Sequence, residues 1–369
     1  MPAAPRAGSA ADAGVLVVLT VALGYANGAN DVSKGIATLV GSGVSDYRRA
    51  VLWGTGWTMA GALLAGLLAS GLVATFSGHA LLSAAPLGSS FPAAVACGAI
   101  GWLVIATVAG LPVSTTHALV GGLCGAGVAM QGVSGVLWEA VAWKAALPLA
   151  VSPLLSLTLI GLLFPLIRRG FDRVERYCLC LERREPALIG PGGAAAMSST
   201  ALRVIAGADC PPQVMGRVTL LTSLHWLSAG LTNLFRGLND TPKVLALSVA
   251  SSVAAGLSTP VVSGMVALAM GAGSYLAGSR VTETLAAKVT RMTPGEGLGA
   301  NLVTSLLVAS ASGLALPVST THVSSSAIIG IGLHTGDLRW RMVTEILLAW
   351  LVTLPVAAGL AWAVARGLR

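Results

Sequence analysis

Charge is scarce in this sequence. Only 10% of its 369 residues are Asp, Glu, Lys or Arg, whereas an average soluble domain carries about a quarter. That shortage excludes an ordinary water-facing domain. Cysteine is scarce too: Cys97, Cys124, Cys178, Cys180 and Cys210 are an odd set, and neither a disulfide framework nor a zinc signature follows from their spacing. Runs of short alternating strands are missing, which excludes a transmembrane β-barrel. The first 13 residues hold Arg6 but no cleavable-signal pattern apart from the apolar stretch that follows, so they read as a short polar tail.

What is there is apolar length. Hydrophobic residues make up 55% of the chain and the mean hydropathy is +0.82. Stretches such as residues 50–76 and 261–278 reach the roughly 20 residues that a helix needs to cross the hydrocarbon core. About ten such segments can be counted, some shortened or broken by glycine. The expected fold is therefore an all-α polytopic membrane protein. The net charge of +8 points to the connections between apolar stretches, not to nucleic acid. Arg168, Arg169, Arg173, Arg176, Arg183 and Arg184 form the densest basic block, and the excess of positive charge in cytoplasmic loops places that segment on the cytoplasmic side. Glu139 and Lys144, close to Trp138 and Trp143, read as part of an interfacial belt.

The chain also repeats itself. Asn27-Gly28-Ala29-Asn30-Asp31-Val32-Ser33-Lys34 returns 209 residues later as Arg236-Gly237-Leu238-Asn239-Asp240-Thr241-Pro242-Lys243. Leu111-Pro112-Val113-Ser114-Thr115-Thr116-His117 returns unchanged, 205 residues later, as Leu316 to His322. Two motifs in the same order at nearly one offset mark a duplication. The expected organisation is a first transmembrane repeat over 13–167, a cytoplasmic linker loop over 168–212 and a second repeat over 213–369. Transporter folds are often assembled this way, with inverted halves and a binding site between them.

Each motif sets polar residues into an apolar stretch, where an unsatisfied group costs several kcal/mol. The pattern predicts discontinuous helices that break at Asn27 to Asp31 and again just before Pro242, a residue suited to a first helical turn. It also predicts helix starts at Ser114-Thr115-Thr116 and at Ser319-Thr320-Thr321, each following a proline. Four half-helix N-termini meeting at the midplane would surround one small anion with free N–H groups and hydroxyl donors. Asp31 and Lys34 stand three residues apart, as do Asp240 and Lys243, so each half carries an internal ion pair. Arg236 adds a positive charge where the first half has Asn27, a cationic bias that suits an anionic ligand. Candidate binding residues are thus Asn30, Asp31, Lys34, Ser114, Thr115, Thr116, Asn239, Asp240, Lys243, Ser319, Thr320 and Thr321, with Arg236, His117 and His322 as accessory. His225 reads as packing, and Gly121, Gly122, Gly125 and Gly127 as a small-residue face for close helix contact. A serine hydrolase is excluded in practice, because serine and histidine sit three apart on one short element in both halves and no nucleophile signature stands out. A channel stays open as the rival, since broken helices also build filters.

With these residues in view, the chain resembles the PiT family of inorganic phosphate transporters, whose halves each carry a GANDxxN-like signature and a PVSTTH-like stretch. The matching residues are Gly28-Ala29-Asn30-Asp31, Gly237-Leu238-Asn239-Asp240 and both Pro-Val-Ser-Thr-Thr-His runs. The resemblance implies an inverted-repeat secondary transporter in which Asn, Asp, Ser and Thr hold phosphate at the midplane of a bacterial-type inner (plasma) membrane while cations travel with it. Sulfate is the alternative cargo, carried by some relatives, and a homo-oligomer is compatible. No cofactor, metal or nucleic acid is expected. Where sodium-coupled members have a second asparagine after the aspartate, this chain has Lys34 and Lys243, so the expected coupling ion is H+ and not Na+.

Overall fold

Small hydroxyl residues, prolines and glycines decide where the helices begin. In the computed structural model, which describes residues 10–68, 73, 76, 80–83, 90–174, 177–184, 199–206, 217–247, 256–314 and 316–368, the first half contains α1 (Ala10–Asp31), α2 (Ser33–Gly41), α3 (Tyr47–Leu68), α4 (Ser90–Val108), α5 (Thr115–Gln131), α6 (Trp138–Val141) and α7 (Leu147–Val174). The second contains α8 (Leu220–Leu245), α9 (Thr259–Ala277), α10 (Ser279–Glu283), α11 (Pro294–Gly313), α12 (Thr320–Thr335) and α13 (Trp340–Gly367). Thr219 and Thr222 form a capping box at the start of α8, and Thr293 with Glu296 does the same ahead of Pro294 in α11. Among the described residues five stretches are long and apolar enough to cross a membrane: Ala11–Gly41, Ser90–Val108, Trp138–Leu166, Thr259–Ala277 and Trp340–Gly367. Leu154, Leu162 and Leu166 on α7 and Leu347 and Leu351 on α13 face outward, as expected of helices solvated by lipid. Among the described residues the apolar spans are helices, as the hydropathy predicts.

Between the halves the structure adds what hydropathy did not indicate. α7 runs to Val174, and β1 (Tyr177–Arg184), β2 (Ser199–Ala206) and β3 (Arg217–Thr219) form an antiparallel sheet in the order β2-β1-β3. Tyr177 pairs with Ala206 and Arg184 with Ser199. β-branched Thr200, Val204 and Ile205 favour such an extended ribbon, where the density of charge alone points to a loop. Of the basic block, the side chains other than Arg169 lie outside the described residues, as does Cys210.

A second difference concerns the helix breaks. At the first Asn-Asp signature only Val32 separates α1 from α2, and its φ of −57° and ψ of −32° stay right-handed helical. The amide of Val32 still donates to the carbonyl of Gly28 at 3.2 Å. At the second, α8 continues unbroken through Asn239, Asp240 and Pro242, and the carbonyl of Pro242 accepts from Ala246 at 3.0 Å. Pro242 therefore sits near the end of a helix, not at a restart, and neither signature offers a free helix N-terminus. The half-helix reading holds at the other motif. Ser114 and Ser319 are N-caps whose hydroxyls accept from the amides of His117 and His322 at 3.2 Å, and α5 and α12 begin there. Each is preceded by an antiparallel partner, α4 or α11, so the Pro-Val-Ser-Thr-Thr run forms the tip of a helical hairpin.

The two halves do not pack as separate bodies. α1 packs on α9 and α8 on α3; the hairpin α4–α5 packs on α13 and the hairpin α11–α12 on α7. Every one of these contacts joins one half to the other, and each has its counterpart with the halves exchanged. The largest core accordingly mixes Leu23, Leu103 and Leu123 with Val266, Met270, Ala357 and Ala361. The signature glycines set the closest approaches: a Cβ on Gly28 would strike the backbone carbonyl of Met270, and one on Gly237 that of Thr58. Gly121 and Gly125 lie in the same way against the carbonyls of Leu354 and Ala358 on α13, so that small-residue face does serve close packing.

Candidate functional site

Because both signatures are helical, their polar side chains project sideways from α1–α2 and α8 toward the hairpin tips. Five charged residues converge there, all out of reach of solvent: Lys34, Lys243 and Arg236 at 0% exposure, Asp31 at 1% and Asp240 at 2%. Lys34 Nζ donates to Asp31 Oδ1 at 2.6 Å and to the carbonyl and Oδ1 of Asn30, both at 2.8 Å. Lys243 Nζ donates to Asp240 Oδ1 at 3.1 Å, to Thr116 Oγ1 at 2.9 Å and to the carbonyl of Val318 at 3.0 Å. Each ammonium thus spends three donors on three oxygens, one of them a carboxylate.

Asn27 ties the halves together. Its Nδ2 lies 2.9 Å from Asp31 Oδ2, 2.9 Å from Thr115 Oγ1 and 3.2 Å from Asp240 Oδ2, so one amide group serves both carboxylates. Its Oδ1 accepts from Arg236 Nη1 at 3.1 Å, and Arg236 Nη2 donates to Thr58 Oγ1 at 2.6 Å. The guanidinium therefore bonds to two neutral groups, and its Nε has no hydrogen-bond partner among the described residues. Two carboxylates against two ammoniums and one guanidinium leave the cluster with one positive charge in their ordinary ionisation states. A buried charge is tolerated only when paired or counterbalanced, and an anion is the balancing partner this cluster calls for.

The hairpin tips close over it from both sides. Thr116 Oγ1 donates to the carbonyl of Val318 at 3.2 Å, and Thr321 Oγ1 to the carbonyl of Val113 at 2.8 Å. Asn30 donates from Nδ2 to Thr107 Oγ1 at 3.0 Å and to the carbonyl of Leu111 at 3.1 Å, while its Oδ1 accepts from the amide of Val113 at 3.2 Å. Asn239 donates to Asp240 Oδ1 at 3.1 Å and to the carbonyl of Val318 at 3.4 Å, and accepts from Ser312 Oγ at 3.4 Å. His117 and His322 meet in a tilted contact with ring centroids 4.4 Å apart, and Trp350 covers His322 at 3.9 Å.

The structure thus brings Asn30, Asp31, Lys34, Thr115, Thr116, Asn239, Asp240, Lys243, Thr321 and Arg236 into one network. Ser114 and Ser319 serve as caps, Thr320 is buried in the first turn of α12, and the two histidines meet each other and not the carboxylates. His225 is buried, with Nε2 3.1 Å from Thr38 Oγ1, in keeping with a packing role. Sequence reasoning missed Asn27 as a bridge, Thr58, Trp350, Thr107 and Ser312. The last two carried a usable signal, since they stand 205 residues apart like the hairpin motifs and are both hydroxyl residues. Thr58 and Trp350 carried none, because only tertiary packing delivers them.

Lipid-facing helices, duplicated halves and a buried, net-positive polar centre between two hairpin tips define a polytopic membrane protein with the makings of an anion carrier. The chain belongs to the phosphate transporter family, whose model matches residues 27–361. It is 30% identical to a Pyrococcus abyssi protein assigned as a phosphate permease, over 92% of this chain and 94% of that one. It is 29% identical to the chloroplastic inorganic phosphate transporter 2-1 of Arabidopsis thaliana, over 90% of this chain and 68% of that one. Among solved structures it superposes on a sodium-dependent phosphate transporter with a TM-score of 0.75 at 20% identity, covering 97% of this chain and 99% of that chain. The fold is shared with that structure.

Proposed function

We propose that the chain carries inorganic phosphate across a bacterial-type plasma membrane as a secondary transporter, driven by protons and independent of sodium. The buried cluster with one unbalanced positive charge carries this reading. Phosphate would be held between the hairpin tips by Arg236 and the hydroxyls of Thr115, Thr116, Thr320 and Thr321, with Lys34 and Lys243 contributing charge; these are part of the wider set expected from the sequence, in which Arg236 was accessory. The Arg236 Nε without an acceptor is the donor most readily offered to an incoming oxyanion.

The oxygens around the ammoniums speak against sodium. Lys34 Nζ has a carboxylate, a carbonyl and an amide oxygen within 2.8 Å, and Lys243 Nζ a carboxylate, a carbonyl and a hydroxyl oxygen within 3.1 Å. Oxygens of these kinds coordinate hard cations, and here tethered ammoniums take them. The solved neighbour is sodium-dependent, but at its level of identity it speaks for the fold and not for the ion. The reciprocal packing of the halves supports an inverted repeat that rocks about the site, with the central basic segment on the cytoplasmic side.

Uptake of labelled phosphate and labelled sulfate into proteoliposomes, under a pH gradient and under a sodium gradient, tests the reading. Saturable phosphate uptake that follows the pH gradient and ignores sodium supports it. A sodium requirement overturns the coupling; uptake of sulfate alone overturns the substrate; unitary conductance in a planar bilayer overturns the carrier.

A further inference from the structure

The contacts between the halves obey an exchange rule, and the two lysines break it. Residues at matching places in the duplication meet: Thr116 bonds to the carbonyl of Val318 while Thr321 bonds to that of Val113, Asn27 bonds to Arg236, and the ring of His117 meets that of His322. In a two-fold contact residue i meets j and j meets i, so a pseudo-dyad passes between the tips. Under that dyad, the bonds from Lys243 to Thr116 and to the carbonyl of Val318 correspond to bonds from Lys34 to Thr321 and to the carbonyl of Val113. Lys34 makes neither. It turns instead to the carbonyl and Oδ1 of its own Asn30.

The asparagines follow the lysines. Asn30 points its amide group at Thr107 and the carbonyl of Leu111 and keeps its oxygen for Lys34 and the amide of Val113. Asn239 is turned the other way, with its oxygen toward Ser312, the counterpart of Thr107, and its amide group toward Asp240 and the carbonyl of Val318. One half is therefore in a home setting, lysine on its own asparagine, and the other in a crossed setting, lysine on the opposite tip. Both settings satisfy every ammonium hydrogen with three oxygens at nearly the same distances. Near-equal bonding in two arrangements is what makes an element bistable.

We propose that each half contains a two-setting switch made of its lysine and asparagine, Lys34 with Asn30 and Lys243 with Asn239, and that exchanging the settings between halves turns the site from one membrane face to the other. In the exchanged state Lys34 bonds to Thr321 and the carbonyl of Val113, while Lys243 withdraws to the carbonyl and Oδ1 of Asn239. The lysines are positioning residues in this role, and the role rests on the transport reading above.

Isosteric variants test it on the full chain in lipid nanodiscs. Thr116→Val removes the acceptor Lys243 now uses; Thr321→Val removes the one awaiting Lys34. Both lose one reciprocal tip bond, so that cost cancels between them. The readout is the ratio of amide hydrogen exchange in 90–131 to that in 294–335, the two equivalent hairpins. The expected result is a shift of this ratio by about five- to tenfold in opposite senses, the leverage of one buried hydrogen bond on a two-state equilibrium, with Thr116→Ser and Thr321→Ser returning the wild-type ratio. Shifts in the same sense, or no shift, overturn the switch. Phosphate uptake by the unsubstituted chain in proteoliposomes keeps the two readings apart: uptake with same-sense shifts in the variants removes the switch and leaves the carrier, and opposite shifts with no uptake by the unsubstituted chain remove the carrier and leave the switch.

Discussion

Arg236 donates to Oδ1 of Asn27 at 3.1 Å, so two residues that hold the same place in two copies of one motif touch across the middle of the protein. The duplication gave the first copy a neutral amide and the second a guanidinium, and the contact turns that difference into the site's unbalanced charge. A symmetric arginine pair would set like charges against each other; a symmetric asparagine pair would leave two aspartates and two lysines in balance with no bias toward an anion. Function on this reading depends on the point where the repeat departs from symmetry.

Arg236→Gln keeps donors toward Asn27 and Thr58 but removes the charge. The expected outcome is a KM for phosphate raised roughly 10- to 100-fold, from the ~1.5–3 kcal/mol of a charge-assisted hydrogen bond, with the melting temperature little changed. Initial-rate uptake over a range of phosphate concentrations checks this, and an unchanged KM would assign Arg236 to scaffolding.

The ion pairs should show their coupling in stability. Asp31 and Lys34 are both buried and 2.6 Å apart, so Lys34→Met strands a carboxylate and is expected to destabilise by about 3–5 kcal/mol. Adding Asp31→Asn removes the stranded charge and should recover most of that loss. Thermal unfolding of the two single variants and the double variant in detergent gives the coupling directly; additive losses would contradict a tight pair.

How much of this was legible beforehand depends on which physics fixed each part. The repeats, the apolar lengths and the hairpin starts were readable because Pro112-Val113-Ser114 and Pro317-Val318-Ser319 are local signals: proline stops one helix and a serine side chain caps the next. The path of the Asn-Asp signatures was not. Polar residues ahead of Pro242 look like a break, yet neighbouring groups satisfy them sideways, and α8 runs through. In a membrane body a proline is tolerated where surrounding packing meets the backbone's needs. The pairing of one tip with the other is equally silent in the sequence, because repeats announce equivalence and not adjacency.

Backbone contacts at glycine separate two kinds of substitution. Gly28→Ala and Gly237→Ala push a methyl group into the carbonyls of Met270 and Thr58 and are expected to cost about 1–3 kcal/mol by overpacking. A methyl group on Gly264 in α9 would meet nothing within 4 Å, and Gly264→Ala should be neutral or stabilising by up to ~1 kcal/mol. Melting temperatures in detergent rank the three, and equal tolerance at all of them would mean that α1–α9 and α3–α8 are not in such close contact.

Trp350 ties the first hairpin tip to the last helix from outside the charged network. Its Nε1 donates to the carbonyl of Pro112 at 3.1 Å while its ring stacks on His322 at 3.9 Å. Pro112 precedes Val113, whose amide bonds to Asn30 and whose carbonyl takes Thr321, so a looser Pro112 carbonyl loosens the seam between the tips. Trp350→Phe keeps most of the stack and loses the hydrogen bond, a cost of about 1 kcal/mol; Trp350→Ala loses both and should cost about 3–5 kcal/mol. Amide exchange over residues 109–114 is expected to rise in Trp350→Phe while the rest of α5 stays as protected as in the wild type. A rise spread over all of α13 instead would show that Trp350 holds the helix and not the tip.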